Sequence, residues 1–593
     1  MADDAVEMKP TLGLTGLTMN AMALIAPGAF LWLTFYIQAT TGNTAPAMWI
    51  GIFLALLLCL ATAVSYAELS KLYPGPGSSY FFAEQSFLNH QKAWRYARLS
   101  KFIVGWGSHL YYWIYPGVMV AVTGLFVGYI VGTLWPTFQT ASDPGLAFTS
   151  AVAIVFALGV GWIAHRGVNG STSVNIAINV IQISALLVFS VMLLGYRMSH
   201  KPGSEAWQFD SVSGEAYNYE FATATVAGAD TITRDASNVP QPKLDSAGKP
   251  VPFHIAYPAT DDKGVFLSHP SAKSVVGIHN FGWMFVQATV AILILVGFES
   301  CTSLGGEAVN PKRDIPIAVI TSLLVQGAFC YLFEYFAANY FLNSGYTAQN
   351  AAGSAAPIGD MMITVGDALF AGYGRAFMLI EGVTVFLALI GTTLSCLNTG
   401  ARVTYAMGKD NEVPEHFGML HDKNLSPHRA IWTLTIISIV IAIIGLSVWC
   451  GDAGAPADTA IQALPHGFWS SFGYTTHDKM AALPNTLLTV TLASNFGTFL
   501  LYGLSCIICM VGYHNHPNFK PIRHFLIPLF GLVANLVCMA FYIIGPFMGY
   551  GTPKEPLIAL GIALVWAIYG GIYFLKSSKA TGRTTLVANK GAA

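Results

Sequence analysis

Charge is what this chain of 593 residues most lacks: Asp, Glu, Lys and Arg together make up 10% of it. An ordinary soluble domain carries about 25%, so a conventional water-soluble fold is excluded. The net charge of −1 leaves no basic surface for nucleic acid and no electrostatic case for a strongly acidic partner. Motifs of soluble enzymes are missing as well. There is no phosphate-binding glycine loop, no HExxH and no GxSxG with triad partners. The chain reads as a non-enzyme that requires no cofactor. Its eight cysteines, Cys59, Cys301, Cys330, Cys396, Cys450, Cys506, Cys509 and Cys538, lie inside or at the ends of apolar runs. The long polar segment 196–278 holds none of them, so no disulfide framework is expected there. Cys506 and Cys509 have a metal-like spacing, but no second pair accompanies them and they read as packing.

What the chain has in abundance is apolar sequence. Hydrophobic residues make up 54%, and the mean hydropathy is +0.55. Runs of roughly 20 or more apolar residues recur, each long enough to cross ~30 Å of hydrocarbon. Twelve candidate spans follow: 14–40, 46–69, 103–133, 145–165, 173–195, 279–305, 315–342, 375–407, 429–450, 484–511, 523–546 and 556–576. Each span must satisfy its own backbone groups in lipid, which makes them helices. The fold class is therefore an all-α integral membrane protein with about 12 transmembrane helices. The N-terminal MADDAVEMKP has no basic n-region and no cleavage site, so the first run reads as a retained span.

Basic residues orient the spans. Lys9, Lys71 to Lys101, Arg166, Lys312, Arg313, Arg402, Lys409, Lys423, Arg429, Lys520, Arg523 and Lys576 to Lys590 fall on one side. The short loops of the other side offer Lys479 and Lys554, with Arg375 at a helix mouth. The positive-inside rule then predicts both termini in the cytoplasm, the segment 196–278 outside, and a multi-pass protein of the plasma (inner) membrane.

Two spans are interrupted. Ala26-Pro27-Gly28-Ala29 sits near the middle of span one, where proline removes a donor and glycine loosens the backbone. Gly297-Phe298-Glu299-Ser300 interrupts span six, followed by Gly305-Gly306 and Asn310-Pro311. Interruptions at matching places in two halves point to a transporter site at mid-membrane.

The stretch GFESCTSLGGEAVNPKRDIPIAVI (297–320) resembles the G-F-E/D…E-x-x-N-P-x-R-x-x-P pattern of the amino acid–polyamine–organocation permease superfamily. YAELSKLYPGPGSSYFF (66–82) is similar to that family's span-two exit, and LNTGARVTYAMGKDNEVP (397–414) to its span-eight exit. The resemblance implies two inverted five-helix repeats of the leucine-transporter type, here 14–195 and 279–511, plus two peripheral helices within 512–576. Segments 1–13 and 577–593 are then cytoplasmic tails, and 196–278 is an extracytoplasmic loop. It also implies a solute bound between the two breaks. Main-chain groups of Ile25, Ala26, Gly28 and Ala29 would face a carboxylate, and carbonyls of Ile294, Leu295, Val296 and Gly297 would face an ammonium. Freed amides prefer anions and freed carbonyls prefer cations, so the arrangement is physically sensible. Phe298 borders the same break, and Leu293 occupies the register of the family's gating aromatic. The chain departs from the family at Pro27, which offers no N–H, and at Gln182, where some members place a lysine.

Of the 30 acidic residues, Glu299, Glu334 and Glu381 lie well inside spans, where a charge costs about 2.5–3.5 kcal/mol or more. They are candidates for proton or cation handling. His109 reads as an interior histidine. Tyr111 and Tyr115 share a helix face and are placed to wall a pocket or stack on a cation. Thr392, Thr393 and Ser395 are weak sodium candidates, since such hydroxyls also bond their own helix; no other metal ligands are expected. The functional expectation is a secondary active transporter of amino acids or related small amines, working by proton-coupled symport or exchange. Its partners would be the amine-bearing solute, a proton or counter-substrate, and the lipid bilayer. The alternatives are a polyamine or organocation permease of the same fold, or a non-transporting membrane solute sensor.

Overall fold

The computed structural model describes residues 8–25, 34–39, 45–135, 143–201, 203–210, 212–213, 215–226, 229–255, 271–278, 281–342, 346–352, 354, 356–446, 485–550 and 553–587. Among these, eleven helices are long and apolar enough to cross a bilayer, and a shorter apolar helix, α1 (Leu14–Ile25), precedes them. A second short helical piece spans 34–39. The others in chain order are α2 (Ala45–Leu72), α3 (Ser79–Asn89), α4 (Ala97–Tyr112), α5 (Tyr115–Leu134), α6 (Asp143–His165) and α7 (Val168–Ser199). Then come α8 (Phe281–Leu295), α9 (Pro311–Phe341), α10 (Pro357–Leu369), α11 (Gly374–Lys409), α12 (His428–Leu446), α13 (Asn485–Tyr513), α14 (Ile522–Met548) and α15 (Lys554–Ala580). The protein is an all-α membrane protein.

Burial sorts these helices into a centre and a rim. About 67% of the most apolar stretch of α2 is buried inside the protein, against 28% for α14 and 17% for α15. α1 packs on α7, α9 and α11, and α8 and α9 both pack on α2, so the interrupted helices are enclosed by others. The rim is attached by specific contacts. Trp106 of α4 and Trp566 of α15 stack at 4.6 Å, and each indole N–H donates to the other's carbonyl at 2.9 Å. A polar indole edge in lipid needs such a partner.

Two features differ from the expected spans. Span three is two helices, because Pro116 has no N–H to continue the ladder at the start of α5. The amide of Ile114 instead closes a tighter turn on Tyr111 O at 3.2 Å. Between α9 and α11 lies α10, a buried 13-residue helix opening with Pro357 at its first position. It is too short to cross the bilayer and carries Asp360 and Asp367, so an apolar-window reading passes over it. The described part of 196–278 contains two antiparallel pairs, Gln208–Asp210 with Glu215–Tyr217 and Thr223–Val226 with Ala229–Ile232. Arg375 at the start of α11 meets Glu215 at 2.8 Å and ties this segment to the helices.

Candidate functional site

The site is built where α8 stops. Val296 still donates to Ile292 O at 3.1 Å. The next residue, Gly297, has φ of 117°, a conformation open to glycine at little cost. A side-chain carbon there would lie 2.6 Å from Leu24 Cγ. The glycine therefore serves both the exit from the helix and the close approach to α1. A tight turn, Phe298–Ser303, follows, and all six of its residues are buried. Helix termini leave carbonyls without intrahelical partners, and Ile294, Leu295 and Val296 lie in that last turn with their side chains packed inside.

Glu299, two residues on, folds back over the break. Its Oε2 accepts from Tyr502 OH at 2.6 Å and from the Gly297 N–H at 3.1 Å, and its Oε1 accepts from Tyr112 OH at 3.0 Å. Both oxygens of this fully buried carboxylate are thus engaged by the protein itself. Tyr112 comes from α4 and Tyr502 from α13, so one side chain joins three elements. Tyr111, adjacent to Tyr112, is buried, and its hydroxyl has no hydrogen-bond partner. Its ring meets that of Tyr115 edge-on at 5.2 Å. These aromatics stand beside the break and leave a free hydroxyl in the enclosed region.

The end of α1 is capped by other helices. Tyr331 OH donates to Ile25 O at 2.6 Å, Gln326 Nε2 to Met22 O at 3.3 Å, and Asn179 Nδ2 to Met19 O at 2.9 Å. Gln326 and Tyr331 both belong to a π-helical stretch of α9, Leu324–Tyr331; such stretches are rare and recur at functional sites. Below this cap runs an uncharged ladder. Asn175 joins Asn20 Oδ1 and Ser395 Oγ, Asn20 joins Thr172, and Gln182 and Gln326 both donate to Asn179 Oδ1. At the position where a lysine occurs in some relatives, Gln182 gives an amide and no charge.

On the side marked by the basic residues, the three motif stretches converge. Arg402 of α11 makes a two-pronged pair with Glu307, Nε to Oε2 at 2.7 Å and Nη2 to Oε1 at 2.8 Å. The amides of Thr11 and Leu12 donate to Glu307 O, and Val309 N donates to Leu12 O. Ser78 Oγ meets Thr302 Oγ1 at 2.6 Å. Further out, Arg98 pairs with Glu412 at 2.7 Å, and Lys101 bridges Glu84 and Asp410. A cavity of about 390 Å³, lined in part by Tyr80, Glu84, Gly306, Lys409 and Asp410, lies outside these contacts. Together these contacts form a polar layer on this side of the protein.

Not every sequence candidate joins the site. Ala26, Gly28 and Ala29 lie outside the described residues. Ile25 presents a carbonyl that Tyr331 already occupies. Leu293 is buried in α8. Thr392 and Thr393 donate to their own helix, to Ala388 O at 3.0 Å and Leu389 O at 2.8 Å. Ser395 accepts from Asn175, and among the described residues no group of three or more His, Cys, Asp or Glu side chains is placed to hold a metal ion. His109 is buried, stacked on Trp113 at 4.4 Å and 3.3 Å from Thr404 Oγ1. Glu334 and Glu381 are not among the groups bonded to Glu299. Sequence reading missed Tyr112, Tyr502, Tyr331, Asn20, Asn179 and Gln326. The spacing Asn175, Asn179, Gln182 is one helix face of a membrane span and was the available signal.

Comparison with known proteins bears on this architecture. The sequence profile of a family described as Amino acid permease matches residues 11–572. The chain is 23% identical to the branched-chain amino acid permease BcaP of Bacillus subtilis over 429 residues, 71% of this chain and 72% of that protein. It is 23% identical to the methylthioribose transporter of Bacillus subtilis over 438 residues, 73% of this chain and 74% of that one. It is 22% identical to the low-affinity putrescine importer PlaP of Escherichia coli over 444 residues, 73% of this chain and 75% of the importer.

Proposed function

The chain belongs to the amino acid permease family, and we propose that it is a secondary active transporter of amino acids or related small amines, coupled to protons or to counter-exchange. It is a membrane transporter and not an enzyme. The observation that carries the finer reading is the meeting of two helix ends: Gly297 closes on Leu24, beside Ile25, inside a shell of helices. Helix ends present unpaired amides and carbonyls that can hold the charged ends of a small solute. The solute would sit between residues 25–29 and Leu293, Ile294, Leu295, Val296, Gly297 and Phe298, with the Tyr111 hydroxyl as a further partner. Glu299 organises the break by tying Tyr112, Tyr502 and Gly297 together.

In this reading the protein works by alternating access, and the polar layer on the basic side is one of its seals. The Arg402–Glu307 pair and the strand-like contact of residues 11–12 with 307–309 would part when the site opens inward. In this reading 14–195 and 279–511 are the two inverted repeats, both termini are cytoplasmic, and the protein resides in the plasma (inner) membrane. A polyamine or organocation substrate is the second reading. It is favoured by Pro27, which supplies no N–H for a carboxylate, and by the similarity to a putrescine importer.

Purified protein in liposomes, given radiolabelled amino acids and amines with and without a pH or sodium gradient, tests the proposal. Saturable uptake or exchange of at least one amine is expected. Transport of none of them in either mode overturns it, and preference for diamines over α-amino acids selects the second reading.

A further inference from the structure

Three histidines meet on the basic side, outside the central site. His165 ends α6, His428 opens α12, and His421 lies in the connection between α11 and α12. The ring of His421 stands edge-on to that of His165 at 4.9 Å and to that of His428 at 5.4 Å, and the rings of His165 and His428 are 6.3 Å apart. Asn424 Nδ2 and Ser426 Oγ both donate to His165 O, at 3.1 Å and 2.9 Å. The last turn of a helix leaves its carbonyls without partners, so the segment 421–426 caps the end of α6. Gly167 lets the two come close, because a side-chain carbon there would lie 2.6 Å from Asn424 O.

A neutral imidazole holds this cap in shape. His421 Nδ1 accepts from the main-chain amides of Lys423 at 3.3 Å and Asn424 at 3.2 Å, which places the ring's own proton on Nε2. The His421 amide donates to Ser426 O and the Leu425 amide to His421 O, both at 2.9 Å. A second proton would have to enter at Nδ1. It would turn an acceptor into a donor facing two N–H groups, and would set a cation between two further rings. Nδ1 of His165 and Nδ1 of His428 are buried without a hydrogen-bond partner. In their charged form, with both ring nitrogens donating, each would leave an N–H stranded.

Among the described residues, the elements around the three rings bring no carboxylate to offset such a charge. Arg166 follows His165 and lies over the Trp162 ring at 3.8 Å, and Arg429 follows His428. In the connecting segment Glu415, His416, Asp422 and Lys423 are exposed. Arg402 of α11 is engaged by Glu307, and beyond Lys409 the Asp410 carboxylate is held by Lys101 and Tyr80. Tyr129 of α5 is bonded to Asp360, and Arg197 of α7 to His200 O at the other end of that helix. Tyr502 and Tyr513 of α13 are bonded to Glu299 and Glu68.

We propose that His165, His421 and His428 form a proton-operated clasp, which fastens the α11–α12 connection to the end of α6 and is released by acid on the basic side. Histidine is the side chain whose charge changes between pH 5 and 8. The closed clasp uses a neutral Nδ1 as acceptor, so it is stable at the upper end of that range and is lost towards the lower end, as protons bind the open form. Arg402 lies near the end of α11, so release frees the helix that makes the pair with Glu307. The clasp itself does not depend on the transport reading; its effect on transport does.

Hydrogen–deuterium exchange of the full-length protein in lipid reads the clasp locally, each rate being corrected for the intrinsic effect of pH. Peptides covering 421–428 of the parent should lose about tenfold in protection from pH 8 to pH 5, the scale of one or two hydrogen bonds. His421→Asn keeps a side-chain oxygen for the same two amides but takes up no proton, so its protection should stay level. His421→Ala lacks the acceptor and should be weakly protected at both ends of the range. A parent whose protection does not change, or a His421→Asn variant that changes as much as the parent, would sink the clasp. In liposomes, counter-exchange of an amine by the parent should rise when the basic side is acidified, and His421→Asn should lack that rise. Equal responses from the two would strip the clasp of its effect on transport. If the parent moves no amine under any condition, the transport reading fails, and the deuterium result alone decides on the clasp.

Discussion

Gly297 shows how much one residue settles. With φ of 117° and Leu24 close by, a Gly297→Ala change combines a left-handed backbone with a collision. The expected cost is about 1–3 kcal/mol, read as a lower thermal unfolding midpoint in detergent. The glycine was legible as an interruption because it sits in an otherwise apolar run. Its partner across the gap was not, since nothing in the residues near 297 specifies Leu24. Glu299 was legible as an exceptional carboxylate, while the tyrosines that hold it were hidden among many aromatics. Those bonds make a graded prediction. Tyr502→Phe removes the 2.6 Å bond to Glu299 Oε2, and Tyr112→Phe removes the 3.0 Å bond to Oε1. Hydrogen bonds to a charged group contribute about 1.5–3 kcal/mol, and the shorter one should be at the upper end. Equal losses from the two variants, measured by chemical denaturation, would contradict that ranking.

At the scale of elements, the seal on the basic side is the clearest case. Glu307 and Arg402 are both buried and share two hydrogen bonds. Arg402→Met strands Glu307 without a partner, at a cost of about 3–5 kcal/mol, so the structure should yield at this seam first. Cys301, in the turn just before Glu307, is fully buried. A water-soluble maleimide should label Cys301 faster in Arg402→Met than in the parent, as mapped by peptide mass spectrometry. A double change, Arg402→Met with Glu307→Leu, should recover most of the stability, because the stranded charge is gone. The π-helical stretch Leu324–Tyr331 and the break at Trp113–Ile114 were not readable in advance. The first has no composition of its own, and the second depends on Pro116 lying at the start of α5 and not inside a continuous helix.

For the whole molecule, the packing of the segment 196–278 on the helices involves α10, a helix outside the bilayer-spanning set. Asp360 is buried there and accepts from Tyr129 OH at 2.9 Å and Tyr346 OH at 3.1 Å. Burial pushes its carboxyl up to about 7, the donated bonds from Ser354, Tyr129 and Tyr346 acting in the opposite direction. An aspartate in the unfolded chain titrates near 3.9, so the folded protein binds this proton more tightly. The associated stability is fully present below about pH 4 and is lost as pH rises towards about 7. Thermal midpoints in detergent should therefore fall between pH 5 and pH 8, and Asp360→Asn should flatten that slope. A parent midpoint that rises over the same range would refute the assignment. At this scale the division between sequence and fold is clear. Scarcity of charge, the length of the apolar runs and the placement of Lys and Arg gave about twelve expected membrane segments, close to the eleven long apolar helices and the shorter α1 among the described residues, and an expected orientation, because bilayer thickness and charge transfer depend on composition along the chain. The three family motifs were visible as strings, but their meeting at Glu307, Arg402 and Ser78 was decided by the tertiary structure. So were the Tyr112–Glu299–Tyr502 bridge, the capping of Ile25 and the seclusion of Glu334 and Glu381. The physical reason is rotational. A helix apolar on every side can turn about its axis with little change in hydrophobic energy, and only packing against its neighbours selects which polar side chains face one another.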